Sequence, residues 1–272
     1  MTPSPLRVGT AGWSVPSRYA TEMPPGDSHL ERYARRLDVV EINSSFQRPH
    51  RRDTYERWAR STPAGFRFSV KVPKAISHEQ RLADCGLLLD RFLTEVAGLG
   101  DKLGVLLLQL PPKFAFGKRV AGKFFRDLRR RIDVPIACEP RHASWFTPDV
   151  NDWFAENRVA RVAADPAPVA GAGETAGWDG LAYYRWHGSP RVYYSDYDAA
   201  ALAALGERLE GQRQRGVPVW CIFDNTASGA ALGNALALMA HAGPPAVTRA
   251  AADLPGIEDI VARPTQRRKS RQ

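Results

Sequence analysis

The sequence predicts a single-domain α/β barrel of the TIM (β/α)8 type, with parallel strands inside and helices outside. Three observations lead there. Short apolar stretches alternate with helix-patterned stretches through most of the 272 residues, the pattern of parallel strands joined by crossover helices. The strands are near-continuous apolar runs, as a sheet covered on both faces requires. There are about eight such units, which favours closure into a ring over an open doubly wound sheet.

In order, the expected strands are Leu6–Gly12, Val39–Asn43, Phe66–Val72, Leu103–Leu110, Ile136–Glu139, Val159–Ala164, Leu181–Trp186 and Val217–Phe223. The first expected helix is capped by Asp27 or Ser28 and turns Leu30, Tyr33, Ala34 and Leu37 inward at i, i+3, i+4, i+7 spacing. Further helical patterns cover Arg51–Arg60, Leu82–Leu99, Lys118–Ile132, Thr147–Asn157, Ala199–Gln214 and Ser228–Ala240. The Thr-Pro pair at 147–148 is a good helix start. Pro166–Gly180 has no strong helical face and reads as a loop replacing or shortening the sixth helix, able to move over the barrel mouth.

The barrel domain is expected over 1–260, followed by a basic, disordered tail over 261–272. The net charge of +9 concentrates there. Arg263, Arg267, Arg268, Lys269 and Arg271 lie in the last ten residues, leaving about +4 for the rest. Such an arm can contact RNA or an acidic partner. No apolar run approaches the roughly 20 residues of a membrane span, so no membrane partner is expected. The N-terminus lacks a basic-then-apolar signal segment, which suggests a cytoplasmic protein. The three cysteines, Cys85, Cys138 and Cys221, fit neither a disulfide framework nor a zinc module. Gly9-Thr10-Ala11-Gly12-Trp13 lacks dinucleotide or phosphate-loop spacing, so no cofactor is expected.

In a barrel of this type the strand ends converge on one mouth, and here those ends are polar. Glu41 and Asn43 share one face of their strand by period-two alternation. A carboxylate in the lumen needs a nearby cation to stay charged, and Lys71 is the expected one. Gln109 can orient a substrate by its amide. Glu139, Arg141, His142 and Trp145 crowd one strand end, offering a carboxylate, an anion fork, a proton carrier and a stacking surface. Arg185 and His187 share a face, and Gly188 permits close backbone approach. Asp224 and Asn225 end the last strand, where Asp224 or Thr226 can instead cap the next helix. Lys71, Arg141 and Arg185 together predict a cationic mouth that takes an anion and disfavours a metal ion.

These blocks resemble the YecE-like proteins, domain-of-unknown-function family 72. The likeness runs from Val8 to about Ala240 through VGTAGWS (8–14), VVEINSSF (39–46), FSVKVP (68–73), ISHEQRL (76–82), LLQLPP (107–112), CEPRHASWF (138–146), YYRWHG (183–188) and FDN (223–225). It implies a TIM-barrel fold and no activity. It also adds His78 and Arg81 to the expected mouth residues. Where relatives often show an Asn-Asn-Asp pattern, this chain has Asp224-Asn225-Thr226.

The expected function is an acid/base enzyme, of hydrolase or isomerase type, on a small anionic or polyhydroxy substrate. Glu139 and Glu41 would serve as acid and base, Lys71 would tune them and His187 would shuttle protons. Trp13, Asn43, His78, Arg81, Gln109, Arg141, His142, Trp145, Arg185 and Asn225 would bind substrate. The alternatives are nucleic-acid binding or processing and non-catalytic metabolite binding.

Overall fold

The sheet is a ring built around the chain's own continuity. A computed structural model describes residues 4–242; the basic tail over 261–272 lies outside the described residues. The strands are β1 (Leu6–Ala11), β2 (Val39–Ile42), β3 (Arg67–Lys71), β4 (Leu103–Gln109), β5 (Ile136–Glu139), β6 (Val159–Arg161), β7 (Ala163–Asp165), β8 (Ala176–Gly177), β9 (Ala182–Trp186) and β10 (Val219–Phe223). They pair in the order β7-β9-β10-β1-β2-β3-β4-β5-β6-β8, all parallel except β6 with β8. β6 and β7 are two halves of one expected strand, separated by Val162. The first half pairs with β5 and the second with β9, so the covalent chain joins the two ends of the sheet. Counting that pair as one stave, with β8 outside, leaves the eight staves of a barrel.

Alternation along the strands sorts apolar side chains into two sets. Val39, Val105, Leu107, Ala137, Ala160, Val162, Leu181, Tyr183, Trp220 and Ile222 fill the lumen. The larger set, including Val40, Phe68, Leu106, Leu108, Cys138 and Cys221, packs against the helices. Trp220 plugs the lower lumen, stacked on Tyr183 with centroids 6.2 Å apart. Its neighbour on β4 must be Gly104, because a Cβ there would lie 2.5 Å from the Trp220 ring. The three cysteines are buried and free.

The helices are α1 (His29–Ala34), α2 (Arg52–Arg60), α3 (Gly86–Val96), α4 (Lys118–Arg129), α5 (Pro148–Glu156), α6 (Ala199–Gln214) and α7 (Ala230–Ala242). Ser28 caps α1 by accepting from the Glu31 amide at 3.2 Å, while Glu31 accepts from the Asp27 amide at 2.8 Å. α3 starts four residues later than Leu82, because Arg81, Leu82 and Asp84 have φ of 46°, 67° and 49°, which no α-helix admits. Pro148 begins α5 as expected.

The segment after β7 replaces a helix, but it does not overhang the mouth. It descends the barrel's outer flank. Arg161 donates to the carbonyls of Gly171 and Glu174 at 3.1 and 3.0 Å, and β8 pairs antiparallel with β6. With those backbone groups bonded to the barrel wall, the segment is a return strap, and the expectation of a mouth flap is corrected. No described helix is long and apolar enough to cross a membrane.

Candidate functional site: an arginine-centred carboxylate cluster at the barrel mouth

Alternation on β9 points Tyr183, Arg185 and, just beyond the strand, His187 into the lumen at rising height. Arg185 is 0% exposed and all its charge is spent inside. Its Nη2 and Nε donate to Glu41 Oε1 and Oε2 at 2.7 and 3.0 Å. Its Nη1 donates to Glu139 Oε2 at 2.9 Å, and Nη2 also donates to Asp224 Oδ2 at 2.9 Å. One guanidinium thus ties together the ends of β2, β5, β9 and β10. Glu41 also accepts from Tyr183 Oη at 2.9 Å, which lies 2.8 Å from Ser69 Oγ.

Above this layer stands His187. Its Nε2 lies 3.3 Å from Glu139 Oε1 and its Nδ1 3.2 Å from Asp224 Oδ2. With a carboxylate at each ring nitrogen, the ring is suited to carry both protons. Burial alone would lower its pKa, but Glu139 and the hydrogen bonds to both carboxylates raise it above the ordinary histidine value. Tyr193 covers the ring edge-on, centroids 5.9 Å apart. Gly188 lets this cover turn in, since a Cβ there would sit 2.9 Å from the Ser195 carbonyl.

Glu139 is the most heavily solvated carboxylate of the cluster, by protein donors. Gln109 Nε2 donates at 2.9 Å, and Arg141 Nη2 and Nε at 3.0 and 3.2 Å. Burial opposes its charge, yet Arg185, His187 and Arg141 hold the carboxyl well below the usual range. Asp224 is likewise lowered by Arg185 and His187 against its burial. A carboxylate held in this way is a fixed anion, unsuited to giving up a proton near neutrality. The acid role expected for Glu139 therefore has no physical support.

Lys71 differs from all of these. It is 6% exposed, and its Nζ lies over the Phe46 ring at 4.3 Å. Among the described residues it has no hydrogen-bond or ion-pair partner. Burial and then Arg185 push its pKa down to about 8, against the attraction of Glu41, Glu139 and Asp224. The cation beside Glu41 is Arg185 and not Lys71, which corrects the expected pair. Arg185 is also unavailable to a ligand, so the expectation of a cationic mouth built on it is corrected: three carboxylates absorb its charge.

The remaining expected residues divide. Asn43 Nδ2 is 3.5 Å from Asp224 Oδ1. His78 packs edge-on to Phe46 at 5.0 Å, and burial, Lys71 and Arg141 lower its pKa. Trp13 is half-buried against Trp58, 5.0 Å away. His142 caps the turn over Ala143–Trp145 by accepting from the Ser144 amide at 3.2 Å. Trp145 is 0% exposed, donates to the Phe114 carbonyl and stacks on Phe154. It belongs to the packing between α5 and the barrel and walls no pocket. Asn225 donates to the Ser195 carbonyl and to Asn234, fastening the loop over His187 to α7. Arg81 is exposed and makes no hydrogen bond to the cluster. Asp224 caps no helix; its carboxylate faces Arg185 and His187 instead.

Tyr183, Ser69, Phe46 and Tyr193 were not anticipated. Tyr183 was within reach, since it precedes Arg185 and His187 on the same period-two face. Phe46 and Tyr193 sit on irregular turns that no periodicity describes. Among the described residues, no group of three or more His, Cys, Asp or Glu has a geometry that could hold a metal ion. The guanidinium of Arg185 fills the point where the carboxylates converge.

Fold and site together define a class, a parallel barrel whose mouth is organised by one buried arginine. The chain belongs to the family described as "Protein of unknown function DUF72", which matches residues 7–256. It is 31% identical to the UPF0759 protein YecE of Escherichia coli K12 over 172 residues, and the match spans 61% of this chain and 61% of that relative's length. It is 23% identical to the UPF0759 protein YunF of Bacillus subtilis 168 over 84% of this chain and 92% of that one. A DUF72 family protein of Enterococcus faecalis V583 has the same fold, with TM-score 0.73 at 24% identity, covering 87% of this chain and 95% of that one. One from Thermotoga maritima MSB8 has TM-score 0.71 at 23% identity, covering 87% and 98%. These last two likenesses bear on fold alone.

Proposed function

We propose that the mouth is the active site of an acid/base enzyme acting on a small anionic or polyhydroxy substrate, with Lys71 and His187 as its proton carriers. The observation that carries this reading is Lys71: a residue 6% exposed whose amine has no side-chain hydrogen-bond or ion-pair partner among the described residues and is pushed down to about 8 by burial. A lysine kept only for structure would be paired, whereas a desolvated and unpaired one is suited to proton transfer or nucleophilic attack. Glu139 and Asp224 hold His187 charged, these two with Glu41 set the field around the amine, and Arg185 keeps the three anions together. Asn43, Gln109, Arg141 and His78 surround the same mouth with polar groups for a hydroxylated or anionic ligand.

The test is thermal stability of the wild type and Lys71→Met against one panel of sugar phosphates, carboxylates, free sugars, nucleotides, divalent metals and oligonucleotides. A ligand at 100 times its Kd adds about 2.7 kcal/mol, enough to raise Tm by several degrees. One small-molecule class should stabilise the wild type and lose most of that effect in Lys71→Met. A salt-sensitive shift from oligonucleotides alone would sink the reading in favour of nucleic acid.

A further inference from the structure

We propose that the Lys71 amine is a covalent nucleophile, forming an imine with the carbonyl carbon of a small aldehyde or ketone that carries hydroxyl or carboxylate groups. This deepens the acid/base reading and rests on it. The geometry points to attack by the amine in four ways. Lys71 ends β3 at the barrel mouth, where reacting groups of this fold gather. Among the described residues its Nζ is paired with no carboxylate, although three lie in the same cluster. The Phe46 face, 4.3 Å from Nζ, positions the amine without a hydrogen bond, and its attraction for the ammonium is small beside the burial that disfavours the charge. The acids that would otherwise capture the ammonium are held by Arg185, His187, Arg141 and Gln109. The charged and titratable groups facing the amine are thus Arg185, Glu41, Glu139 and Asp224, and His78 lies within the field of the amine.

The step balances without a further reactant. The neutral amine attacks the carbonyl carbon, the N–C bond forms and the C=O π pair moves to oxygen. That oxygen takes a proton as the nitrogen loses one, giving a carbinolamine. Protonation of its hydroxyl then expels water and leaves the iminium. His187 shares Glu139 and Asp224 with Lys71 as neighbours and is suited to supply that proton. An iminium on a buried lysine withdraws electrons from the adjacent carbon, so the chemistry gained is proton removal or carbon–carbon bond exchange next to a former carbonyl.

Reductive labelling tests this directly. The full-length protein is treated at pH 7 with limiting formaldehyde and cyanoborohydride, and lysine peptides are compared by mass spectrometry. An amine at about 8 has roughly 200-fold more free base at pH 7 than an ordinary lysine. Even with restricted access, Lys71 should label at least about 10-fold faster than exposed Lys113 and Lys118, with its rate levelling above about pH 8. Glyceraldehyde or pyruvate should then leave a reduced adduct confined to Lys71. Labelling of Lys71 no faster than Lys113 and Lys118 overturns the nucleophile. Preferential formaldehyde labelling with no Lys71 adduct from either larger carbonyl overturns the substrate class. In both cases a ligand-specific Tm shift lost in Lys71→Met would still uphold acid/base chemistry at this mouth, so the two proposals fail separately.

Discussion

Burying an amine without a partner has a stability consequence that can be measured before any substrate is known. Lys71 falls from 10.5 to about 8 on folding. Between those values the unfolded chain holds a proton that the native state has lost, so stability rises with pH across that window. Below about 8 the native state bears the full cost of the charged amine. That cost is about 3 kcal/mol at the ceiling of 1.36 kcal/mol per pKa unit. Lys71→Met, similar in volume, should therefore stabilise the protein by about 1–3 kcal/mol at pH 7, read by urea unfolding, with the gain fading toward pH 10.5. A loss of stability would show that the ammonium is held favourably. His187 has the opposite sign. Its raised pKa contributes stability that is complete below about 6.5 and is lost as pH rises through the higher native value. His187→Gln should accordingly destabilise most at pH 5.5–6 and progressively less in alkaline buffer. The sequence showed both residues as mouth groups from their position at strand ends, but not their pairing. Pairing depends on which of three cations reaches Glu41 across the lumen, a matter of depth: Arg185 is long enough to fork under the carboxylates, and Lys71 is left above them.

At the scale of elements, helix faces and strand runs were legible because burial imposes a period on them. All seven helices and the inner strands fell within a few residues of their expected spans. What was not legible came from single backbone positions. Left-handed residues at 81, 82 and 84 delay α3, and Val162 splits one stave into β6 and β7. The return strap was visible as a missing helix, yet its path was not, because it is set by Arg161 bonding to carbonyls about ten residues away. Register across the barrel floor makes its own prediction. A Cβ on Gly104 would meet the Trp220 ring at 2.5 Å, and Trp220 is itself buried in the lumen. Gly104→Ala should cost about 1–3 kcal/mol by overpacking. Adding Trp220→Phe should recover part of that loss, so the double variant is more stable than the two single effects summed. Strict additivity in this cycle, followed by thermal unfolding, would mean that the contact is not what requires glycine there.

For the whole molecule, Arg185 is where the ring and the candidate site meet. Carboxylates from β2, β5 and the end of β10 converge on a guanidinium from β9. A single side chain thus joins distant parts of the ring at the level of the candidate site. Burying three carboxylates and a guanidinium is no bargain compared with an apolar lumen; its retention makes sense if the anions are needed in place to hold His187 charged and Lys71 unpaired. Removing the arginine leaves the anions uncompensated, and truncating one partner of a buried ion pair costs about 3–5 kcal/mol. Arg185→Met should therefore be severely destabilised at neutral pH, and the pH dependence separates this cause from a packing defect. In the wild type, Glu139 and Asp224 titrate below their unfolded values, so their stabilising contribution is present above about 4.3 and lost as pH falls through the lower native values. In Arg185→Met the same carboxyls have lost their main counter-charge, burial raises them, and the native state favours their protonated forms. Acidification from about pH 6 to 4.5, where His187 is largely protonated in both the folded and unfolded states, should then stabilise the variant while leaving the wild type unchanged or weaker. Unfolding by urea across that range reads the two slopes directly. Parallel slopes would show that the arginine acts by filling space, and that the three anions of the mouth are neutralised by something other than Arg185.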